Sequence, residues 1–237
     1  MLIAFLSDIH GNREALSACL AHADARGAER LVFLGDYVGY GADPEWVLDA
    51  VRARVGRGAT ALLGNHDAAT WQSRTGMNPV AQAAIDWTRR RLDAAAVDFL
   101  RGLPLQVEEE DRLYVHADAS APARWRYVTD AETAMRSLLA TGARVTVCGH
   151  VHVPRLFGVT ATDKLAAFTP VGGVAVPLAR PRRWLAVMGA VGQPRDNNPA
   201  ACYGLLDDER GEITWVRVPY DAATAAAKVR AAGLPDS

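Results

Sequence analysis

The chain has 237 residues, 50% of them hydrophobic, with 26 basic and 27 acidic side chains. Its formal net charge of -1 excludes a general basic surface for nucleic acid or an anionic membrane, so an anionic ligand must be held locally. The length supports a substantial core, and we expect residues 1–237 to form one domain.

The cysteine content and the N-terminal residues indicate a cytoplasmic protein. Cys19, Cys148 and Cys202 include no C-x-x-C pair, and an odd thiol would be left over in an oxidising compartment. Residues 1–6 read as a strand and lack the basic region and cleavage site of a signal peptide. No apolar stretch approaches the roughly 18 to 20 residues of a transmembrane helix, so we expect no membrane association.

The first part of the chain predicts strands that alternate with helices. The predicted elements are a strand over 2–6, a helix over 12–26 that ends at Gly27, a strand over 31–34, a helix over 45–55 and a strand over 60–63. Residues 78–100 are rich in Ala, Arg and Asp and read as helices that break near Pro79. A turn at 102–104 ends this helical part.

From residue 105 the pattern changes to shorter alternating segments. They predict strands over 105–109, 112–115, 145–148, 156–160, 164–169, 184–188, 202–207 and 213–218, and a terminal Ala-rich helix over 221–232 packed on the outside. The apolar residues 170–177 read as an edge strand or an interface. We expect an α/β protein in which two packed sheets are flanked by helices, a four-layer α-β-β-α sandwich.

The first polar cluster follows the first predicted strand. Asp8 and His10 are two residues apart, and in an extended segment such residues point the same way, so both can reach one ion. Asp8 as the N-cap of the next helix is the alternative. The neighbouring histidine favours metal binding.

Two further clusters follow the second and third predicted strands. Asp36 comes directly after the strand over 31–34, and Asn65, His66 and Asp67 come after the strand over 60–63. A turn role for Asn65 and a helix-capping role for Asp67 remain open from these residues alone.

The last two clusters consist of histidines at strand ends. His116 follows the strand over 112–115, and a structural role is its alternative. His150 and His152 follow the strand over 145–148 and repeat the spacing of the first cluster. Loops at the carboxyl ends of strands are where α/β proteins build sites.

Together the clusters supply two carboxylates, one amide and four imidazoles, with no cysteine. The candidate ligands are Asp8, His10, Asp36, Asn65, His116, His150 and His152. This set suits two divalent transition metal ions, with Mn²⁺ favoured and Fe, Zn, Co or Ni as alternatives. Two such ions and the two aspartates leave a local charge of about +2, which attracts phosphate.

The ordered motifs D-x-H, G-D, G-N-H-D, H and G-H-x-H between Asp8 and His152 resemble those of the calcineurin-like metallophosphoesterases. The segments V-G-Y-G at 38–41, W-R-Y at 125–127 and G-Q-P-R-D at 192–196 are similar to its small bacterial branch, which is related to diadenosine tetraphosphatases and small phosphodiesterases. Gly39 and Tyr40 stand where protein phosphatases of the superfamily have Asp and Arg, which weakens a protein phosphatase interpretation.

The resemblance implies two ligand sets. One ion is held by Asp8, His10, Asp36 and His152, and the other by Asp36, Asn65, His116 and His150. It also implies that Asp36 bridges the ions, that His66 faces the leaving-group oxygen without binding metal, and that Asp67 orients His66. Ions about 3.5 to 4 Å apart then share a hydroxide that attacks phosphorus in line.

The resulting hypothesis is a phosphodiesterase acting on a small phosphorylated molecule or nucleotide. A phosphomonoesterase resembling protein phosphatases, a dinucleoside polyphosphate hydrolase, a nuclease and a non-catalytic scaffold are the alternatives. Candidate substrate contacts are Asn65, His66, Arg195 and Arg126, with Arg124 as an alternative to Arg126. Trp125 and Tyr127 either stack on a base or pack in the core. The loops over 68–80 and 117–130 determine the substrate, and the oligomeric state is not readable from the sequence.

Overall fold

The computed structural model describes residues 1–72 and 77–235. In these ranges the strands are β1 (Leu2–Leu6), β2 (Arg30–Phe33), β3 (Thr60–Ala61), β4 (Gln106–Glu109), β5 (Arg112–Val115), β6 (Val145–Cys148), β7 (Arg155–Val159), β8 (Leu165–Phe168), β9 (Ala175–Pro177), β10 (Arg183–Val187), β11 (Ala201–Asp207) and β12 (Glu212–Val218). The helices are α1 (Arg13–Ala25), α2 (Pro44–Val55), α3 (Asn65–Ala68), α4 (Pro79–Arg91), α5 (Ala94–Arg101), α6 (Ala131–Leu139) and α7 (Ala222–Ala231). No helix within these ranges is long and apolar enough to cross a membrane.

The strands form two mixed six-stranded sheets. The first has the order β3-β2-β1-β11-β12-β9, and the second has the order β4-β5-β6-β10-β7-β8. β1, β2 and β3 are parallel to one another, and so are β5, β6 and β10. The carboxyl ends of parallel strands meet at one edge of their sheet, so the loops after β1, β2 and β3 come together, as do those after β5 and β6.

Alternating side chains build the layers. Ile3 and Phe5 of β1 point into the core between the two sheets, whereas Ala4 and Leu6 point outward beneath α1, α2 and α5. On the second sheet, outward-pointing residues such as Leu185 pack against α6. The period of two along each strand thus separates a central core from two outer cores. The predicted α-β-β-α sandwich is confirmed.

Local signals explain where the helices begin and end. Asn12, not Asp8, is the N-cap of α1, since its Oδ1 accepts from Ala15 N at 3.0 Å; Asp8 is thus left for another role. Pro79 does not break the helix predicted over 78–100. It stands in the first turn of α4, after the N-cap Asn78, where its missing N–H costs nothing. The actual break lies at Leu92 and Asp93, before α5.

Some elements differ from the sequence prediction: α3 and α6 were not predicted, and β3 is shorter than the predicted strand over 60–63. Of the two alternatives given for the apolar residues 170–177, the edge strand is present as β9, which pairs with β12. α7 lies where the terminal helix was predicted and packs against α1. Residues 73–76 of the predicted substrate loop over 68–80 lie outside the described residues.

Candidate metal centre

Six of the candidate ligands lie in tight loops after β1, β2, β5 and β6, and Asn65 is the first residue of α3, which follows β3. Several of these residues have left-handed backbone conformations: the φ angles are 54° for Asp8, 50° for His10, 56° for Asp36, 68° for His150 and 63° for His152. Such angles cost about 1 to 2 kcal/mol for a residue with a side chain, and they cluster at functional sites. The sequence predicted that each of the pairs Asp8–His10 and His150–His152 lies in an extended segment. That prediction is wrong, because both loops turn sharply at each ligand.

Asp8, His10 and His152 form the first group of candidate ligands. The Nε2 atoms of His10 and His152 lie 3.1 Å apart. Asp8 Oδ1 lies 3.3 Å from His152 Nε2 and 4.0 Å from His10 Nε2. This buried oxygen has no hydrogen-bond partner within residues 1–72 and 77–235. One atom from each residue can therefore meet at a single cation.

Asp36, His116 and His150 form the second group. Asp36 Oδ2 lies 3.4 Å from His116 Nε2 and 3.8 Å from His10 Nε2, so this oxygen faces both groups. Asn65 brings its Oδ1 atom to 3.2 Å from His116 Nε2. The seven predicted ligands thus lie together, and His150 and His152 fall into different groups although they are two residues apart. Their binding of metal stays a prediction.

The histidine tautomers provide a test of whether these residues fit a metal. One ring nitrogen of each histidine among the candidate ligands donates to a backbone carbonyl. The pairs are His10 Nδ1 to Val38 (3.0 Å), His116 Nδ1 to Leu34 (2.8 Å), His150 Nε2 to Trp125 (2.9 Å) and His152 Nδ1 to Gln193 (2.7 Å). A carbonyl only accepts, so in each neutral ring the other nitrogen presents a lone pair to the centre. His10 and His152 then face each other with two lone pairs, which repel unless a cation lies between them. The residues fit a metal.

The charges of the centre are set by burial and by the aspartates. Burial, followed by the neighbouring histidines, holds the pKa of His10 well below its usual value, and burial lowers the pKa of His150 to about 3. Burial also opposes protonation of His116, but the adjacent Asp36 carboxylate outweighs it and raises the pKa of His116 to about 9. The Asp36 carboxylate therefore favours a positive charge at the position where it faces His116.

Asp67 braces the loop that carries Asp36. Its Oδ2 accepts from Asp36 N (2.8 Å) and Gly64 N (3.0 Å), and its Oδ1 accepts from Tyr37 N (2.9 Å) and Val38 N (3.3 Å). Burial and the Asp36 charge raise the pKa of Asp67 to about 7, which these N–H groups oppose. The predicted orientation of His66 by Asp67 finds no support in these contacts, because the carboxylate is directed to backbone N–H groups of the Asp36 and Gly64 loops.

His66 lies beside the two groups. Its ring centroid is 4.8 Å from that of His10 and 4.8 Å from that of Tyr40. Its Nδ1 is buried without a hydrogen-bond partner among the described residues. Gly39 permits this packing, since a Cβ at that position would approach His66 Nδ1 to 2.5 Å. His66 can also reach a cation together with His10 and Asp36, so its role as a non-ligand stays a prediction.

The loop over 117–130 covers one side of the centre. The Tyr127 ring stacks on His150 with centroids 4.2 Å apart and planes 10° apart, yet the residue is 51% exposed. Tyr127 therefore does not pack in the core. Arg126 is exposed beside it. Arg195 is exposed as well, and its Cζ lies 5.8 Å from the centroid of the Tyr40 ring, at the rim of the site.

Some residues of the centre were missed by sequence reasoning. Val38, Leu34, Trp125 and Gln193 fix the histidine rings through carbonyl groups. Three of them lie in the segments noted at 38–41, 125–127 and 192–196, but any residue type supplies a carbonyl, so their residue types do not predict this contact. Tyr40 was noted as part of a motif, but its packing against His10 and His66 was not predicted.

The fold and the donor atoms together define a metal-dependent phosphoester hydrolase. A family model described as the calcineurin-like phosphoesterase superfamily domain matches residues 1–211, and the chain belongs to that superfamily. The family prediction made from the sequence motifs is confirmed.

Two full-length matches and one partial match place the chain among its relatives. It is 32% identical to an uncharacterized protein of Methanocaldococcus jannaschii over 241 residues, covering 99% of this chain and 94% of that protein. The crystal structure of a metallophosphoesterase from Sphaerobacter thermophilus superposes with a TM-score of 0.87 at 33% identity, covering 100% of this chain and 95% of that one. A symmetrical bis(5'-nucleosyl)-tetraphosphatase of Janthinobacterium sp. is 33% identical over 115 residues, which are 47% of this chain and 42% of that protein.

Proposed function

We propose that this enzyme is a two-metal phosphodiesterase that acts on a small phosphorylated molecule, with a nucleotide ester as the leading substrate class. Asp8, His10, Asp36 and His152 would hold the first ion, and Asp36, Asn65, His116 and His150 would hold the second. The observation that carries the proposal is the lone pairs of His10 and His152 facing each other beside Asp8 Oδ1, which has no hydrogen-bond partner within the described ranges. An arrangement of this kind is stable around a cation.

Two divalent ions, when bound, would neutralise phosphoryl charge and lower the pKa of a water molecule that serves as nucleophile. The remaining work falls to residues of the chain. Asp36 Oδ2 faces both groups, so it holds them in one centre. His66 projects beside the centre and donates a proton or a hydrogen bond to the departing oxygen. Asp67 holds the Asp36 loop in position.

We further propose a manganese-loaded enzyme that works in the cytoplasm as one domain over residues 1–237. Imidazole, carboxylate and amide ligands suit Mn²⁺, while Fe, Zn, Co and Ni remain usable by the same set. The free cysteines Cys19, Cys148 and Cys202 are buried, in keeping with a reducing compartment. The chain's near-neutral charge favours a small substrate over nucleic acid.

A dinucleoside polyphosphate hydrolase is the second candidate. The partial match to a bis(5'-nucleosyl)-tetraphosphatase favours it. Hydrolysis of a phosphoanhydride uses the same metal centre and the same leaving-group contact, so the two candidates differ in the groups that flank the scissile bond. A phosphomonoesterase is a third outcome of the same experiment.

Hydrolysis of two chromogenic esters by metal-stripped protein reloaded with Mn²⁺ tests the proposal. We expect bis(4-nitrophenyl) phosphate to be cleaved with a higher kcat/KM than 4-nitrophenyl phosphate. Asp36→Ala should lose both bound metal and turnover, because it removes the oxygen that faces both groups. Asp49→Ala, which removes an exposed carboxylate of α2, is the matched control and should behave as the wild type.

The outcomes separate the candidates. Preference for the monoester would contradict the phosphodiesterase and favour a phosphatase. Inactivity on both esters, with metal bound, would shift the assignment to anhydride hydrolysis, which diadenosine tetraphosphate then tests directly.

A further inference from the structure

A cavity of about 310 Å³ adjoins the candidate metal centre on the side of His10 and Tyr40. Ala222, Ala225, Ala226 and Val229 of α7 form one wall of it. These positions are spaced i, i+3, i+4 and i+7, which is one face of a helix. The apolar face of α7 is therefore turned to a cavity. Tyr220 and α7 also lie after residue 211, where the match to the family model ends.

Contacts of the last turn of α7 and of the residues after it hold this wall in place. Lys228 Nζ donates to Glu14 Oε1 at 2.5 Å and to Asp43 Oδ2 at 2.8 Å, which ties α7 to α1 and to the N-cap of α2. Beyond the helix, Leu234 packs in a small cluster with Tyr40. The cavity is thus bounded by anchored elements, and its shape is set before a ligand arrives.

The polar part of the cavity presents acceptors. Glu14 and Asp43 both line it. Lys228 binds one oxygen of each, but the second oxygen of Glu14, Oε2, is buried without a hydrogen-bond partner in the parts of the chain that the structure describes. A buried acceptor left without a partner costs free energy, and a rotation of the Glu14 carboxylate toward a donor on a ligand would recover it. Sugar hydroxyls are donors of that kind.

The cavity lies beside the place where the phosphate of a substrate would bind. Tyr40 lines the cavity, and its ring lies 4.9 Å from that of His10 and 4.8 Å from that of His66. The cavity and the candidate metal centre therefore share His10, and a group attached to a phosphate at that centre would lie next to the cavity. The volume lies at the lower end of the range of small-molecule sites, which is about 300 to 1,000 Å³.

We infer that this cavity binds the nucleoside of a nucleotide substrate, with ribose hydroxyls donating to Glu14 and the base against the apolar wall of α7. An apolar wall suits the flat base, and carboxylates suit the sugar. The inference rests on the proposed function, because it takes the phosphate to be at the metal centre, and it assigns the specificity of the enzyme to α1 and α7.

Calorimetric titration of the Mn²⁺-loaded protein with adenosine 5'-monophosphate and with inorganic phosphate tests the inference without turnover. Ala226→Trp fills the cavity, while Ala227→Trp makes the same change on the exposed face of α7. We expect Ala226→Trp to weaken binding of the nucleotide on the order of 10-fold, a change easily measured, and to leave phosphate binding unchanged. Ala227→Trp should bind both as the wild type does.

Glu14→Gln keeps one oxygen acceptor and provides a second variant should Ala226→Trp unfold. The wild type should bind adenosine monophosphate about 10-fold more tightly than its 2',3'-dideoxy analogue, and Glu14→Gln should reduce this difference. Equal affinity of the wild type for the nucleotide and for phosphate would overturn the inference, as would a folded Ala226→Trp with unchanged nucleotide affinity. Nucleotide binding by a protein that hydrolyses neither of the two chromogenic esters nor diadenosine tetraphosphate would overturn the proposed function alone.

Discussion

His66 contacts the candidate ligands without a hydrogen bond to fix its Nδ1 in the described part of the chain, which is the situation of a side chain that meets substrate. We predict that His66→Ala lowers kcat by about 10² to 10⁴, the usual contribution of general acid catalysis. Metal content, measured by mass spectrometry of the dialysed protein, should equal that of the wild type. Loss of one ion would contradict this prediction and make His66 a ligand beside His10 and Asp36, which the geometry also permits.

Asp67 acts through the backbone, so its replacement tests positioning. In Asp67→Asn an amide NH₂ group would face two of the N–H donors that the carboxylate now accepts. We expect the free energy of unfolding to fall by about 1.5 to 3 kcal/mol. Metal affinity should fall about 10-fold to 100-fold, as for groups that orient metal ligands. Urea unfolding and metal titration measure these effects. Asp98→Asn, on the exposed face of α5, is the control, and equal metal affinity in both variants would refute the positioning role.

For single residues, the sequence predicted which side chains lie together but not which backbone angles and hydrogen bonds hold them in place. Asp8, His10 and Asp36 could be predicted because each follows a buried apolar run, and strand ends gather at one edge. The left-handed angles at these residues could not, since non-glycine residues rarely adopt them and only the surrounding loops enforce them. The contact of Asp67 with Gly64 N is the helix-capping role left open from the sequence. The other three donors belong to residues 36–38, a loop distant in sequence, and could not be predicted.

The loop after β6 shows how an element constrains the site. Gly149 separates this strand from His150, and a Cβ on it would overlap Ser7 Oγ and approach Asp8 Oδ2 to 2.7 Å. We predict that Gly149→Ala displaces Asp8 and lowers both metal affinity and Tm. Gly142→Ala is the control, because no heavy atom of the described residues other than its chain neighbours lies within 4 Å of its added Cβ. Metal titration and thermal unfolding of both variants test this prediction, and wild-type metal affinity in Gly149→Ala would contradict it.

Helices and strands whose own residues carry a strong pattern were predicted. Those that depend on pairing or packing with another element were missed or left open. α1 and β1 carry their own periodicity, and the turn at Gly27 marks the end of α1, although its N-cap, Asn12, was not predicted. β9 has three residues; the sequence left its segment open between an edge strand and an interface, and only the pairing with β12 makes it a strand. α6 has a capping box at Asp130 and Thr133 that could have been recognised. Its apolar face is short, so packing against the second sheet contributes more to the formation of this helix than its local sequence does.

The candidate metal centre joins the two sheets. Loops after β1, β2 and β3 of the first sheet supply Asp8, His10, Asp36 and Asn65, and loops after β5 and β6 of the second supply His116, His150 and His152. An ion bound here crosslinks layers that otherwise adhere through their apolar core. Bound metal should therefore stabilise the whole molecule as well as permit catalysis.

We predict that removing metal with a chelator lowers Tm by roughly 10 °C. A ligand present at 1,000 times its Kd stabilises a protein by about 4 kcal/mol, and each kcal/mol shifts Tm by about 2 to 4 °C in a chain of this size. Calorimetric scans with and without Mn²⁺ measure the shift. In Asp36→Ala the Tm should no longer respond to Mn²⁺, while in His66→Ala it should respond as in the wild type.

The comparison between these two variants separates structural from catalytic use of the centre. If the metal were held only by residues of one sheet, chelation would loosen local loops and leave the cooperative transition near its original temperature. Because His10 and His152 come from different sheets and their Nε2 atoms lie 3.1 Å apart, repulsion between them without a cation acts across the sandwich. A Tm that does not change on chelation would show that this repulsion is relieved locally, and that the two sheets hold their relation through the apolar core alone.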